Sequence, residues 1–169
     1  MKHEKMPTPL ALLEAIELGE QFHTAQVGAA QIWQFVPNDE GRVVCSLWDS
    51  FPDIYDGLEA FANSGETETV AVGVVSSGWA APMPQDHDND DNLTAPSEHP
   101  ARRRVSLVAV RSADGGSASR IHFADTGENI DDDGNARGGL ADALGDALDA
   151  VRSTYTELEQ ILQDILNKN

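Results

Sequence analysis

The chain is poor in the residues that most chemistries need. Cys45 is its only cysteine, so no internal disulfide can form. It sits in the apolar run Val43-Val44-Cys45-Ser46-Leu47, where a buried, inert thiol is expected. Positive charge is scarce as well. Eleven Lys+Arg stand against 29 Asp+Glu in 169 residues, a net charge of −18. Residues 51–100 carry ten acidic side chains and no basic one. Such a field repels nucleic acid and anionic lipid, so direct binding to either is not expected. No apolar run approaches the roughly 20 residues that span a bilayer. The segment Met1-Lys2-His3-Glu4-Lys5-Met6 has no apolar h-region, so no signal peptide is expected and the chain reads as soluble and cytoplasmic. Gly-x-Ser-x-Gly, His-Glu-x-x-His, Cys-x-x-Cys and Gly-x-Gly-x-x-Gly are all missing. No internal repeat is present.

What remains is the pattern of a single α+β domain over residues 1–169, with 1–7 as a frayed tail. Thr8-Pro9 is a helix entry, and Leu12, Ile16, Gly19 and Phe22 recur at helical spacing, which predicts a helix over about 9–23. Residues 31–36 and 42–48 read as the two strands of a hairpin around Pro37-Asn38-Asp39-Glu40-Gly41. Asp53 opens a short helix, roughly 53–62, with Ile54, Leu58 and Phe61 on one face. Residues 69–76 are a nearly continuous apolar run, the mark of a strand covered on both faces. A long acidic loop follows over 83–100, then strands over 104–110 and 118–124, and a second polar loop over 125–139. Leu140, Leu144, Leu148, Val151, Tyr155, Leu158, Leu162 and Ile165 then step by three or four, a heptad-like seam over 139–166. A helix of that length is about 42 Å long at about 1.5 Å per residue. That exceeds what a domain of this size readily covers. Two readings stand side by side: part of the seam binds something else, most simply a second copy of the chain, or the whole helix packs along the sheet. The expected architecture is a mostly antiparallel sheet of about five strands with an N-terminal helix, a short middle helix and a long C-terminal amphipathic helix.

Few side chains suggest chemistry. Asp86, Asp88 and Asp90 match the first three ligand positions of an EF-hand loop, but Asp91 replaces the required glycine and Ser97 the final glutamate. No metal site and no cofactor are expected. The run Asp131-Asp132-Asp133 suits the positive N-terminus of the helix that follows. Gly138-Gly139 is no phosphate cradle, with three aspartates beside it and no lysine after it. Glu98-His99-Pro100 followed by Arg102-Arg103-Arg104 is the only basic concentration. His99 and Glu98 are the candidates for acid–base work there, and Arg103 and Trp79 for ligand binding. His99-Pro100 lacks the first histidine of a His-x-His-Pro metal motif, since position 97 is Ser. Pairing of the arginines with local carboxylates at a strand entry is the simpler explanation of the cluster. His23 and His122 fall in regular structure and are expected to be packed or exposed rather than catalytic.

Gly78-Trp79-Ala80-Ala81-Pro82, His99-Pro100 with Arg102-Arg103-Arg104-Val105, and Gly139-Leu140-Ala141-Asp142-Ala143-Leu144 together resemble small acidic proteins of actinobacteria and actinophages. The preference for Arg over Lys agrees with a GC-rich source. The resemblance spans roughly residues 70–148 and implies no activity, cofactor or site. Three functional expectations follow. The first is a non-enzymatic interaction or accessory module that self-associates as a dimer through 139–166, with the acidic middle facing a basic protein partner. The second is a small enzyme or ligand-binding protein with its site near the 77–101 loop. The third is an acidic mimic of nucleic acid.

Overall fold

A computed structural model describes residues 5–20, 29–82, 95–133 and 139–168, with side chains throughout except at 133, 139 and 154–159. The EF-hand-like loop, His23, and the seam positions Tyr155 and Leu158 therefore lie outside the described residues or side chains. The elements run α1 (Pro9–Glu20), β1 (Ala30–Pro37), β2 (Val43–Phe51), α2 (Ile54–Ala62), β3 (Ala71–Ala80), β4 (Arg103–Ser112), β5 (Ser117–Phe123), β6 (Asn129–Asp133) and α3 (Gly139–Leu166). They form an α+β architecture around one sheet, ordered β2-β1-β3-β4-β5-β6 and antiparallel at every pairing.

The sheet has six strands, one more than the apolar pattern predicts. The addition is β6, in a stretch expected to be loop. Asn129-Ile130-Asp131-Asp132-Asp133 carries one apolar residue and has poor strand propensity. It is held by the ladder to β5, in which Asp131 lies opposite Arg120, and by that pair's two hydrogen bonds of 2.7 and 2.9 Å. The aspartate run is thus part of an edge strand. Charge on an edge also discourages pairing with another chain.

Local signals set the element ends. The Thr8 hydroxyl accepts from the Ala11 amide at 3.2 Å and caps α1. Asp53 caps α2 by accepting from the amides of Tyr55 and Asp56 at 2.9 and 3.1 Å. The Asn38 side chain closes the β1–β2 turn on the amides of Glu40 and Arg42. There Gly41 takes a φ of +79°, which other residues rarely adopt.

Both faces of the sheet are covered. α1 lies on one, with Leu12, Leu13 and Ile16 against Trp33, Phe35, Val75, Val108 and Val110. Met6, in the expected tail, packs against this cluster. α2 and the first half of α3 lie on the other, with Leu58, Phe61, Leu144, Leu148 and Val151 against Ile32, Val72, Val74 and Ala109. Period-two alternation explains the division: Val75 and Val108 face α1, while Val74 and Ala109 face α2 and α3. Gly73 is required at the centre. A Cβ there would collide with Ile16 Cδ1, so its absence lets α1 sit directly on the sheet.

Val151 is the last residue of α3 seen fully buried. The Arg152 guanidinium donates to the Thr69 carbonyl at 2.9 Å and ties the helix to the loop before β3. Beyond this tie α3 runs on to Leu166.

Candidate functional site

The residues nominated by sequence do not form one cluster. His99 follows a single 3-10 turn, Pro96–Glu98, and its Nδ1 accepts from the Ala101 amide at 3.0 Å. This bond shapes the approach to β4 and occupies one of the two imidazole nitrogens. Glu98 is exposed, and its carboxylate makes no hydrogen bond among the described residues. Arg103 grips Asp125 with two bonds of 2.8 Å, donates to the Thr126 hydroxyl at 3.1 Å, and lies 4.1 Å over the Phe123 ring. That bidentate bond holds the Asp125 carboxyl below its ordinary range and pulls the Arg103 pKa up. Its role is to close the end of the β4–β5 hairpin.

Trp79 is on the opposite face. It pairs with Arg104 across the β3–β4 ladder, whereas Arg103 pairs with Ala80. The indole is 39 % exposed, and the guanidiniums of Arg102 and Arg104 lie 4.9 and 5.3 Å from its ring centroid. Arg104 also donates to the Ser77 hydroxyl at 3.3 Å. Sequence reasoning identified the basic cluster, and strand alternation divides it between the two faces.

The α1 face continues past the apolar rows into a polar shelf. Ser77, Ser106, His122 and Asn129 stand in cross-strand register on β3, β4, β5 and β6. The row before it holds Val75, Val108, Arg120 and Asp131 in the same order. The last turns of α1 bring Glu17 and Glu20 over this region, leaving a pocket of about 300 Å³. Arg120 is its organising group, its side chain only 18 % exposed. Nη1 donates to Glu17 at 2.6 Å, while Nε and Nη2 donate to Asp131. The pairing lowers the Asp131 pKa and raises that of Arg120. The Glu20 carboxylate is left without an ion pair or hydrogen bond among the described residues. Burial, with Glu17 beside it, pushes its carboxyl above the ordinary value. His122 Nδ1 is 2.7 Å from Asn129 Oδ1. With that oxygen as acceptor, Nδ1 carries the proton, and in the neutral ring Nε2 then presents its lone pair.

These residues carried no sequence signal. Glu17 and Arg120 are 103 positions apart, and each pocket residue is ordinary in its own element. Cys45 is half-buried on β2, and burial pushes its thiol up to about 11, which keeps it protonated and unreactive at neutral pH. No group of three His, Cys, Asp or Glu able to hold a metal ion occurs among the described residues. No described helix is long and apolar enough to cross a membrane.

A second surface is the free half of α3. Ile161, Leu162, Ile165 and Leu166 are 54, 58, 55 and 73 % exposed. Leu162, Ile165 and Leu166 each lie eighteen residues after Leu144, Ala147 and Leu148, which are buried in the core. Eighteen residues are about five turns at 3.6 per turn. The stripe that seats α3 on the sheet therefore continues in phase beyond the sheet. Neither a protein-family model, nor a curated protein, nor a solved structure matches the chain.

Proposed function

We propose that the protein is a self-associating interaction module in which the free half of α3 packs against the same segment of a second copy. The observation that carries this reading is the core-phased apolar stripe left exposed on Ile161, Leu162, Ile165 and Leu166. An exposed apolar face of this kind gains by burial, and a repeating heptad-like seam is suited to another helix. Charge favours a like partner. Residues 152–169 carry two basic and three acidic side chains, against a net of −18 for the chain. Two such segments approach with little repulsion, whereas the acidic edge strand β6 does not favour a sheet-edge dimer.

Light scattering coupled to size exclusion tests this on the full chain. The wild type is expected to be a dimer and Leu162→Asp/Ile165→Asp a monomer, with unchanged circular dichroism and thermal stability of the body. Raising salt is expected to strengthen the dimer, because it screens repulsion between the two acidic bodies. A basic protein partner would instead be released by salt. A wild type that stays monomeric at high concentration would falsify the proposal.

A further inference from the structure

The pocket at the end of α1 lies on the face of the sheet opposite α3, and its groups have a chemistry of their own. Its volume of about 300 Å³ suits a small molecule. Among the described residues Arg120 is the one Lys or Arg on its walls, and its guanidinium is taken up by Glu17 and Asp131. The Glu20 carboxylate has no such partner among the described residues. Across from it stand the Ser106 hydroxyl and the His122 ring, with Val108 as the apolar wall. The pocket therefore presents one unsatisfied negative charge, neutral acceptors and a hydrocarbon surface.

This set discriminates among ligands. An anion would meet Glu17 and Glu20 with no uncommitted cation to receive it. A divalent metal ion needs several oxygen ligands at once, and no sufficient cluster stands among the described residues. An alkylammonium ion fits each part. Its three N–H donors match the Glu20 carboxylate, the Ser106 oxygen and the His122 Nε2 lone pair, and its methylenes match Val108. We infer that this pocket binds a small primary ammonium compound, with Glu20 as its counter-ion and Ser106 and His122 as neutral acceptors.

The cost of this placement points the same way. Glu20 is poorly placed for stability: it is partly buried, next to another carboxylate and without a cation. A charged group that costs stability where it stands, at the wall of a pocket, marks a binding site.

Titration of the full chain with butylamine and with putrescine, followed by amide NMR at constant ionic strength, tests the inference. Calcium chloride serves as the metal probe. Either amine is expected to shift the Glu20, Ser106 and His122 amides in a saturable way. Glu20→Gln is expected to weaken this by about tenfold or more, the scale of one lost charge-assisted contact. Ser106→Ala should weaken it less, and Glu14→Gln, exposed on the same helix, should leave it unchanged. Three results would each overturn the site: no localised shifts with either amine, equal affinity in Glu20→Gln, or the same shifts induced more readily by calcium. None of them depends on whether the chain dimerises.

Discussion

At the scale of single residues, the ion pairs show which carboxylates the fold needs and which it merely tolerates. Asp125 and Asp131 hold arginines and have lowered pKa values, so their stabilisation is present above the ordinary carboxylate range and is lost as acid protonates them. Glu20 has the opposite sign. Its folded pKa is raised, so the folded state binds its proton more readily than the unfolded chain does. Its contribution to stability is full below the unfolded pKa and disappears as pH rises through the folded one. At neutral pH the ionised group is a net cost. Glu20→Gln should therefore raise the melting temperature at pH 7, and the gain should vanish in acid, where both forms are neutral. The group is only partly buried, so solvent screening keeps the effect small. Thermal melts at pH 7 and pH 4 check both sign and trend. Nothing about Glu20 in the sequence signals this. It is one of three glutamates in α1, where helical spacing sets it beside Glu17, but only the fold gives Arg120 to that competitor.

At the scale of elements, legibility follows how local the cause is. The capping of α1 and α2 and the β1–β2 turn depend on residues within four positions of one another, and their signatures are read directly. The α3 seam is equally direct, because helical spacing is a property of the segment itself. β6 is different. Its stability comes from β5 and from Arg120, so its five residues alone read as loop. The pocket is harder still, since it needs the register of β4, β5 and β6 together with the placement of α1. Within α3, Gly145 is a weak point that packing does not require. A Cβ there would lie 3.6 Å from Arg111 Nε, an ordinary contact. Gly145→Ala is expected to stabilise the protein by about 1 kcal/mol, or roughly 2–4 °C at this size, as read by thermal or denaturant unfolding. The contrast is Gly73, where the added carbon has nowhere to go.

At the scale of the whole molecule, strand order constrains how the chain comes together. β1 pairs with β2 through a short turn, and β3 to β6 form a meander of successive neighbours. One seam joins the two halves: β1 against β3, with Trp33 opposite Gly73. The crossover through α2 carries the chain past β1 so that β3 lies parallel to β2 with β1 between them. During synthesis the first half emerges with one edge of β1 unpaired and with Leu58 and Phe61 of α2 lacking their cover. That state persists until β3 arrives, because contacts distant in sequence carry the larger loop-closure cost. The rate of folding should therefore be set at this seam. Val72→Ala is expected to slow refolding, whereas Ala118→Gly in the later hairpin should chiefly hasten unfolding, a difference that stopped-flow kinetics resolve. Glycine at position 73, needed in the native state so that α1 can lie flat, has a kinetic cost as well. It places the residue least inclined to extended structure at the centre of the one pairing on which the rest of the sheet waits.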